Sequence, residues 1–272
     1  GSSYRGALFI GSPEWYSPPL PYWLSLTGRY HKPVVWFDTE CIGEGMDRRS
    51  IPDCPVFFRC FWNDRDAVNL VMKTLIDLGH RTIGMPSYPG YGHPWQVRRL
   101  KLARTAARTG HPRLTVLTPV LKESFWIGED HWWETPGILG RLDLKSHAMP
   151  PQRILRAHTP SLARILERGA TALIGVNDDI AREYVSWLHE AGISVPEEVS
   201  VISFDNHEIS RVFNIASVDF GLETLGYQAA HLLLGDIPIK ADDRRGNLGS
   251  RSALIARGSL GPARPPETGM RP

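Results

Sequence analysis

The chain has 272 residues, 42% of them hydrophobic and 22% charged, with a formal net charge of +2. That length suits one large domain or two lobes of ordinary size, and the composition is that of a globular protein with a substantial core rather than a disordered or fibrous chain. The small net charge argues neither for nor against nucleic acid, and no run of about 18 apolar residues is present to span a membrane.

In chain order, residues 4–11 (YRGALFIG) read as a short buried strand ending in Gly, 12–21 as a Pro- and aromatic-rich loop, and 23–30 as a short helix. Lys32-Pro33 introduces VVWFD, a second strand closing at Asp38, and 39–55 has the Gly, Asp, Arg and Pro of a surface loop. A third strand is expected over 56–62, with Asn63-Asp64 capping a helix whose apolar residues fall at 67, 68, 71, 72, 75 and 78; Gly79 stops it. A strand over 82–85, a loop over 86–94, a helix over 95–109 and a strand over 114–117 follow. Residues 122–151 have no clear period and form an irregular insertion holding Trp126, Trp132 and Trp133. A helix is expected over 160–168.

Residues 171–206 (TALIGVNDDIAREYVSWLHEAGISVPEEVSVISFDN) then give an apolar strand, a polar turn, an amphipathic helix, a Gly turn and a second apolar strand. Both strands end in small polar or acidic residues, Asn177-Asp178 and Asp205-Asn206. In a parallel α/β sheet the carboxyl ends of strands line the ligand crevice, so one segment delivers two sets of hydrogen-bonding groups to one edge. A helix over 221–234 and a strand over 251–257 complete the series, and the tail after Gly258 is expected to be frayed. Alternating strands and helices predict an α/β fold with parallel sheets covered by helices on both faces.

Several of these segments together resemble the effector-binding domain of the LacI/GalR family of bacterial transcription regulators. AGISVPEEVSVISFDN (191–206), LIDLGHRTIGM (75–85), KPVVWFD (32–38), SVDFGLETLGYQAAHLLL (217–234) and the closing Arg257-Gly258-Ser259 match the family's signature stretches in collinear order. The resemblance implies two Rossmann-like lobes with parallel sheets, the fold shared with periplasmic sugar-binding proteins, and a sugar-like small polar effector held between the lobes. On this reading residues 1–61 and about 207–240 form the N-terminal lobe, 62–206 and about 241–260 the C-terminal lobe, and 261–272 a tail. Family members carry about two β-α units ahead of the strand at 4–11, preceded by a DNA-binding module. Neither is in this sequence, so the N-terminal lobe is expected to be partial. The resemblance further implies a homodimer whose lobes close on ligand and alter operator DNA binding through that module, in the cytoplasm and without a membrane anchor.

Candidate ligand-binding residues follow from strand ends and motif positions. Asp205 is either a turn-forming Asp or the acceptor for ligand hydroxyls that the motif implies. Asn177 can cap the following helix and, as an amide that donates and accepts, also contact a hydroxyl; Asp178 reads as structural. Arg98 stands where the family places its ligand-gripping Arg, with Arg99 the alternative inward-facing member. Asp38 is a cap or a ligand contact. Trp62 and Asn63 sit at an expected lobe crossover, where an indole can stack on a sugar ring or serve the core, and Trp126 and Trp132 raise the same choice.

The three cysteines, Cys41, Cys54 and Cys60, lack CxxC spacing and are expected to be free thiols. The ten histidines lack metal-ligand spacing, no nucleophile elbow or phosphate loop appears, and adjacent carboxylates such as Asp178-Asp179 do not converge as glycosidase carboxyls must. Neither a cofactor nor enzyme activity is expected. The alternative on the same fold is an exported sugar-binding protein; no secretory leader is visible in the sequence.

Overall fold

The computed structural model describes residues 5–11, 22, 29, 31–39, 56–86, 94–110, 114–117, 162–242 and 246–265. The insertion at 122–151, with Trp126, Trp132 and Trp133, lies outside the described residues, as do Cys41, Cys54 and nearly all of the helix expected at 23–30. The chain divides into two compact units. Unit 1 comprises Gly1–Ala67, His93–Arg98 and Asp219–Ala253; unit 2 comprises Val68–Gly92, Arg99–Val218 and Leu254–Pro272.

Unit 1 is built on a four-stranded sheet of order β1 (Ala7–Ile10), β2 (Val34–Asp38), β3 (Phe57–Phe61) and β9 (Asn247–Gly249), with every pair parallel. β2 reads as a nearly unbroken apolar run because a parallel strand is covered on both faces; Val34, Val35 and Trp36 are fully buried. The Trp36 indole N–H is satisfied by the Gly11 carbonyl at 2.9 Å. One layer is α5 (Leu222–Leu234), whose Leu225, Ala229 and Leu232 pack with Val35, Cys60 and Leu248 into one apolar cluster. Burial there pushes the Cys60 thiol up to about 12, against a smaller opposing pull from Arg59, so it is inert as a nucleophile.

Unit 2 holds a six-stranded sheet of order β10 (Ala253–Ile255), β8 (Ala216–Asp219), β7 (Ser200–Phe204), β6 (Ala172–Ile174), β4 (Thr82–Gly84) and β5 (Thr115–Leu117), parallel from β8 to β5. The helices are α1 (Asp64–Asp77), α2 (Pro94–Gly110), a helical stretch at 162–167, α3 (Asp178–Glu190) and the short α4 (Glu208–Val212). The apolar spacing anticipated for α1 is realised, with Ala67, Val68, Val71, Met72 and Leu75 all buried. After β5 the chain returns to the other side of β4 to form β6, pairing Ile83 with Ala172. This reversal of strand order is a topological switch point, the place where open α/β sheets bind ligands.

Two expectations are corrected. β8 pairs with β7 (Ile202↔Ala216) and β9 with β3 (Arg59↔Asn247), so 207–218 belongs to unit 2 and 241–253 to unit 1, the reverse of the expected lobe assignment. Strand pairing, which is non-local, decides the partition. The segment after Gly258 is not frayed through residue 263. Ser259 Oγ donates to the Val201 carbonyl at 2.6 Å and accepts the Ala216 N–H at 2.8 Å. The Gly261 carbonyl accepts from His80 Nε2 (3.0 Å) and Ser200 Oγ (3.1 Å), and Ala263 N–H reaches the Leu78 carbonyl at 2.8 Å.

Candidate functional site

In unit 2 the polar residues beyond β6 and β7 are gathered by one buried carboxylate. Gly175 follows β6 because α3 packs directly upon it; a Cβ there would lie 2.8 Å from the Ala181 Cβ and 2.9 Å from the Ala181 nitrogen. Asn177 takes extended backbone, and its Oδ1 accepts the Ile180 N–H at 3.0 Å, capping α3. Asp178, in the first helical turn where the dipole favours an acid, accepts from Ser203 Oγ, from Ser217 Oγ at 2.7 Å and from the His207 N–H at 2.6 Å. It thereby ties the start of α3 to β7, to β8 and to the turn after β7.

That turn is left-handed at two consecutive non-glycine residues, Asp205 (φ 100°) and Asn206 (φ 51°). Such conformations cost on the order of 1–3 kcal/mol each and cluster at functional sites. They persist here because each amide of the turn has a partner. Asp205 N–H donates to the Val218 carbonyl (2.9 Å), Asn206 N–H to Ser217 Oγ (3.0 Å), and His207 N–H to Asp178. The Asn206 side chain is committed elsewhere: its Oδ1 accepts from Arg257 Nη2 at 2.6 Å, while Arg257 Nη1 donates to the Ile215 carbonyl at 2.8 Å and to Ser210 Oγ at 3.2 Å.

The Asp205 carboxylate, with 22% of its side chain exposed, faces Arg99 Nη2 at 3.6 Å. Arg99 is fully buried, donates Nη1–H to the Val176 carbonyl at 2.7 Å, and lays its guanidinium 4.7 Å from the Phe204 ring centroid. One guanidinium therefore joins the ends of β6 and β7. The result is a partly exposed carboxylate at the end of β7, on the strand next to the one that Asn177 follows. This pair can hydrogen-bond hydroxyl groups of a small polar molecule.

In unit 1, Asp38 at the end of β2 is fully buried and pairs with Arg59 of β3, Nε to Oδ2 at 2.8 Å and Nη2 to Oδ2 at 2.6 Å. The guanidinium lies 4.5 Å from the Phe61 ring centroid. Trp62 stacks on Phe220 with ring centroids 5.9 Å apart. Asn63 caps α1 through Oδ1, which accepts the Asp66 N–H at 3.2 Å, and its own N–H reaches Ser250 Oγ at 2.9 Å.

Of the residues expected at the site, the structure brings Asn177 and Asp205 together on adjacent strand ends. Asp38, Trp62, Asn63 and Arg98 belong to unit 1, where Asp38 is fully buried and Arg98 is partly buried. The arginine paired with Asp205 is Arg99. Its inward position was legible, since Arg99, Ala103 and Ala107 recur at helical spacing and all three are buried; the charge on Arg99 hid it from a search for apolar periodicity. Asp178 is structural, as its sequence position suggests, but its partners and those of Arg257 come from distant strands and left no local signal.

Residues 72–260 match the model of the periplasmic binding protein-like domain. Among curated proteins the chain is 28% identical over 100 residues (36% of this chain, 28% of the other) to the arabinose metabolism transcriptional repressor of Geobacillus stearothermophilus. It is 52% identical over 48 residues (17% of this chain, 14% of the other) to the HTH-type transcriptional regulator AscG of Escherichia coli. The matches thus span less than a third of either relative. Among solved structures, a LacI family transcriptional regulator from Enterococcus faecium with bound ribose superposes with a TM-score of 0.60 at 21% identity, covering 96% of this chain and 80% of that one. The parallel strand order and a family match over most of the sequence converge, and the chain belongs to the periplasmic binding protein-like domain family.

Proposed function

We propose that this chain is the ligand-sensing domain of a LacI-family transcriptional regulator, that it binds a sugar or a closely related polyhydroxylated molecule, and that it does no catalysis. The observation that carries the reading is the left-handed Asp205-Asn206 turn after β7, which holds a partly exposed carboxylate facing the buried Arg99, one strand over from the Asn177 that follows β6. A carboxylate accepts from vicinal hydroxyls, and an amide both donates and accepts. Each such contact contributes on the order of 1 kcal/mol net, so several of them with ring stacking approach the roughly 8 kcal/mol of a micromolar complex. The E. faecium relative holding ribose, and the arabinose-metabolism repressor, support the class of ligand.

Regulation on this reading requires the ligand to prefer one conformation of the domain, since equal affinity for two states shifts neither. Operator DNA would be met by a module outside this chain, in a homodimer and in the cytoplasm; among the described residues no helix is long and apolar enough to cross a membrane. Calorimetry with D-ribose, followed by a thermal-shift screen of mono- and disaccharides, tests the proposal. Saturable binding to the parent and its loss in Asp205→Asn are the expected result. Parent-like binding in Asp205→Asn overturns the site, and turnover of a bound sugar overturns the non-catalytic reading.

A further inference from the structure

We infer that Asp178 is the positioning residue of the ligand-binding turn: it touches no ligand, and it holds Asp205 and Asn206 in the left-handed conformation that ligand recognition uses. The inference rests on the reading that Asp205 contacts the ligand. Asp178 is buried, and its two oxygens divide the work. Oδ1 accepts from Ser203 Oγ and Ser217 Oγ, whereas Oδ2 accepts the His207 N–H at 2.6 Å. Ser217 passes the constraint on, because its hydroxyl, donating to Asp178, accepts the Asn206 N–H at 3.0 Å. The amides on the far side of Asp205 are thus fixed by one carboxylate, directly at 207 and through one hydroxyl at 206.

Non-glycine residues leave the left-handed region when nothing over-determines it. Without Asp178 the His207 N–H loses its acceptor and the Ser217 hydroxyl that receives the Asn206 N–H loses its own anchor, so two restraints on the turn weaken together. Relaxation would swing the Asp205 carboxylate away from Arg99 while leaving the strands paired. The turn and α3 would also be uncoupled, so that the Asn177 amide and the Asp205 carboxylate no longer share a common anchor.

The test is site-resolved amide hydrogen exchange in the ligand-free protein, with D-ribose calorimetry alongside. Asp178→Ala removes the acceptor of the His207 N–H, and Ser217→Ala removes the acceptor of the Asn206 N–H. Exchange at His207 in the first variant and at Asn206 in the second should rise by about tenfold or more while the amides of Leu173 and Ile174 in β6 stay near parent rates. D-ribose affinity should fall by about tenfold in both. Exchange that rises equally in β6 and in the turn, or does not rise in the turn, overturns the positioning role, as does parent-like ribose affinity in Asp178→Ala when Asp205→Asn has lost it. Parent-like ribose binding in Asp205→Asn instead overturns the site reading, leaving the exchange result to decide the structural claim.

Discussion

Arg99 Nη2 stands 3.6 Å from the Asp205 carboxylate while its Nη1–H is held by the Val176 carbonyl at 2.7 Å, so one fully buried guanidinium sets the spacing between two strand ends. Arg99→Ala would strand the Val176 carbonyl and the partly buried carboxylate together. Removing one member of a buried pair costs about 3–5 kcal/mol; with Asp205 partly exposed, solvent screening lowers this to about 2–3 kcal/mol. Arg99→Lys keeps the charge and loses the fork that reaches both partners. Both variants should bind ligand about fivefold more weakly by calorimetry, since each contact is worth on the order of 1 kcal/mol. Arg98→Ala should unfold at nearer the parent temperature than Arg99→Ala. A larger loss of melting temperature from Arg98→Ala would mean that the two arginines have been assigned the wrong way round.

Asp38 and Arg59 make a second pair, sealed within unit 1. Asp38→Ala should therefore act first on stability, by about 3–5 kcal/mol, because it leaves Arg59 buried without its counter-charge. A concerted Asp38→Leu, Arg59→Met replacement removes both charges and should recover most of that loss. Urea unfolding of the three proteins checks this. If Asp38→Ala unfolds at the parent midpoint, the carboxylate is not the structural ion-pair partner described.

The strand-turn-helix-turn-strand course of 171–206 was readable because each feature is local: apolar runs, the Asn177 cap, the Gly192 turn. The site lay partly beyond such reading. Asp38 reads from its strand end as a cap or a ligand contact, and nothing in VVWFD indicates that Arg59 on the neighbouring strand will lie beside it; that follows from the Trp36↔Arg59 register. β9 is the tripeptide Asn-Leu-Gly, with no strand propensity of its own, and it is extended only because β3 offers an edge to pair with. The placement of 207–218 and 241–253 differs from expectation for the same reason. The left-handed turn was hinted at by Asp-Asn, residues that tolerate that conformation, but the serines that brace it lie on two separate strands.

Gly175 offers a test of how tightly α3 must sit on β6. Its φ is unexceptional, so the demand is one of space: a Cβ would meet the Ala181 nitrogen at 2.9 Å and the Ala181 Cβ at 2.8 Å, atoms that move only with the helix. Gly175→Ala should cost about 1–3 kcal/mol as overpacking and shift the Asn177 amide. Thermal unfolding should register the first effect and weakened ligand binding the second. An unchanged melting temperature would show that α3 can retreat freely, and that the Asn177 position is not fixed by packing.

The last expectation concerns pH. His80 is buried, and its Nε2–H donates to the Gly261 carbonyl at 3.0 Å, which leaves Nδ1 to accept from Thr171 Oγ1 at 2.9 Å. Burial lowers its pKa below the ordinary histidine value, Arg81 adds to that lowering, and the bond to Gly261 opposes it. The folded protein therefore resists protonation that the unfolded chain accepts at about pH 6.5. Between that pH and the lower folded value the unfolded state binds more protons, so stability falls as pH falls and is fully present above the unfolded value. His80→Asn should flatten the dependence of the urea midpoint between about pH 7 and pH 5, at the cost of a lower midpoint at pH 7, where the links to Gly261 and Thr171 are weakened. A variant that keeps the parent slope would place the acid sensitivity in other groups.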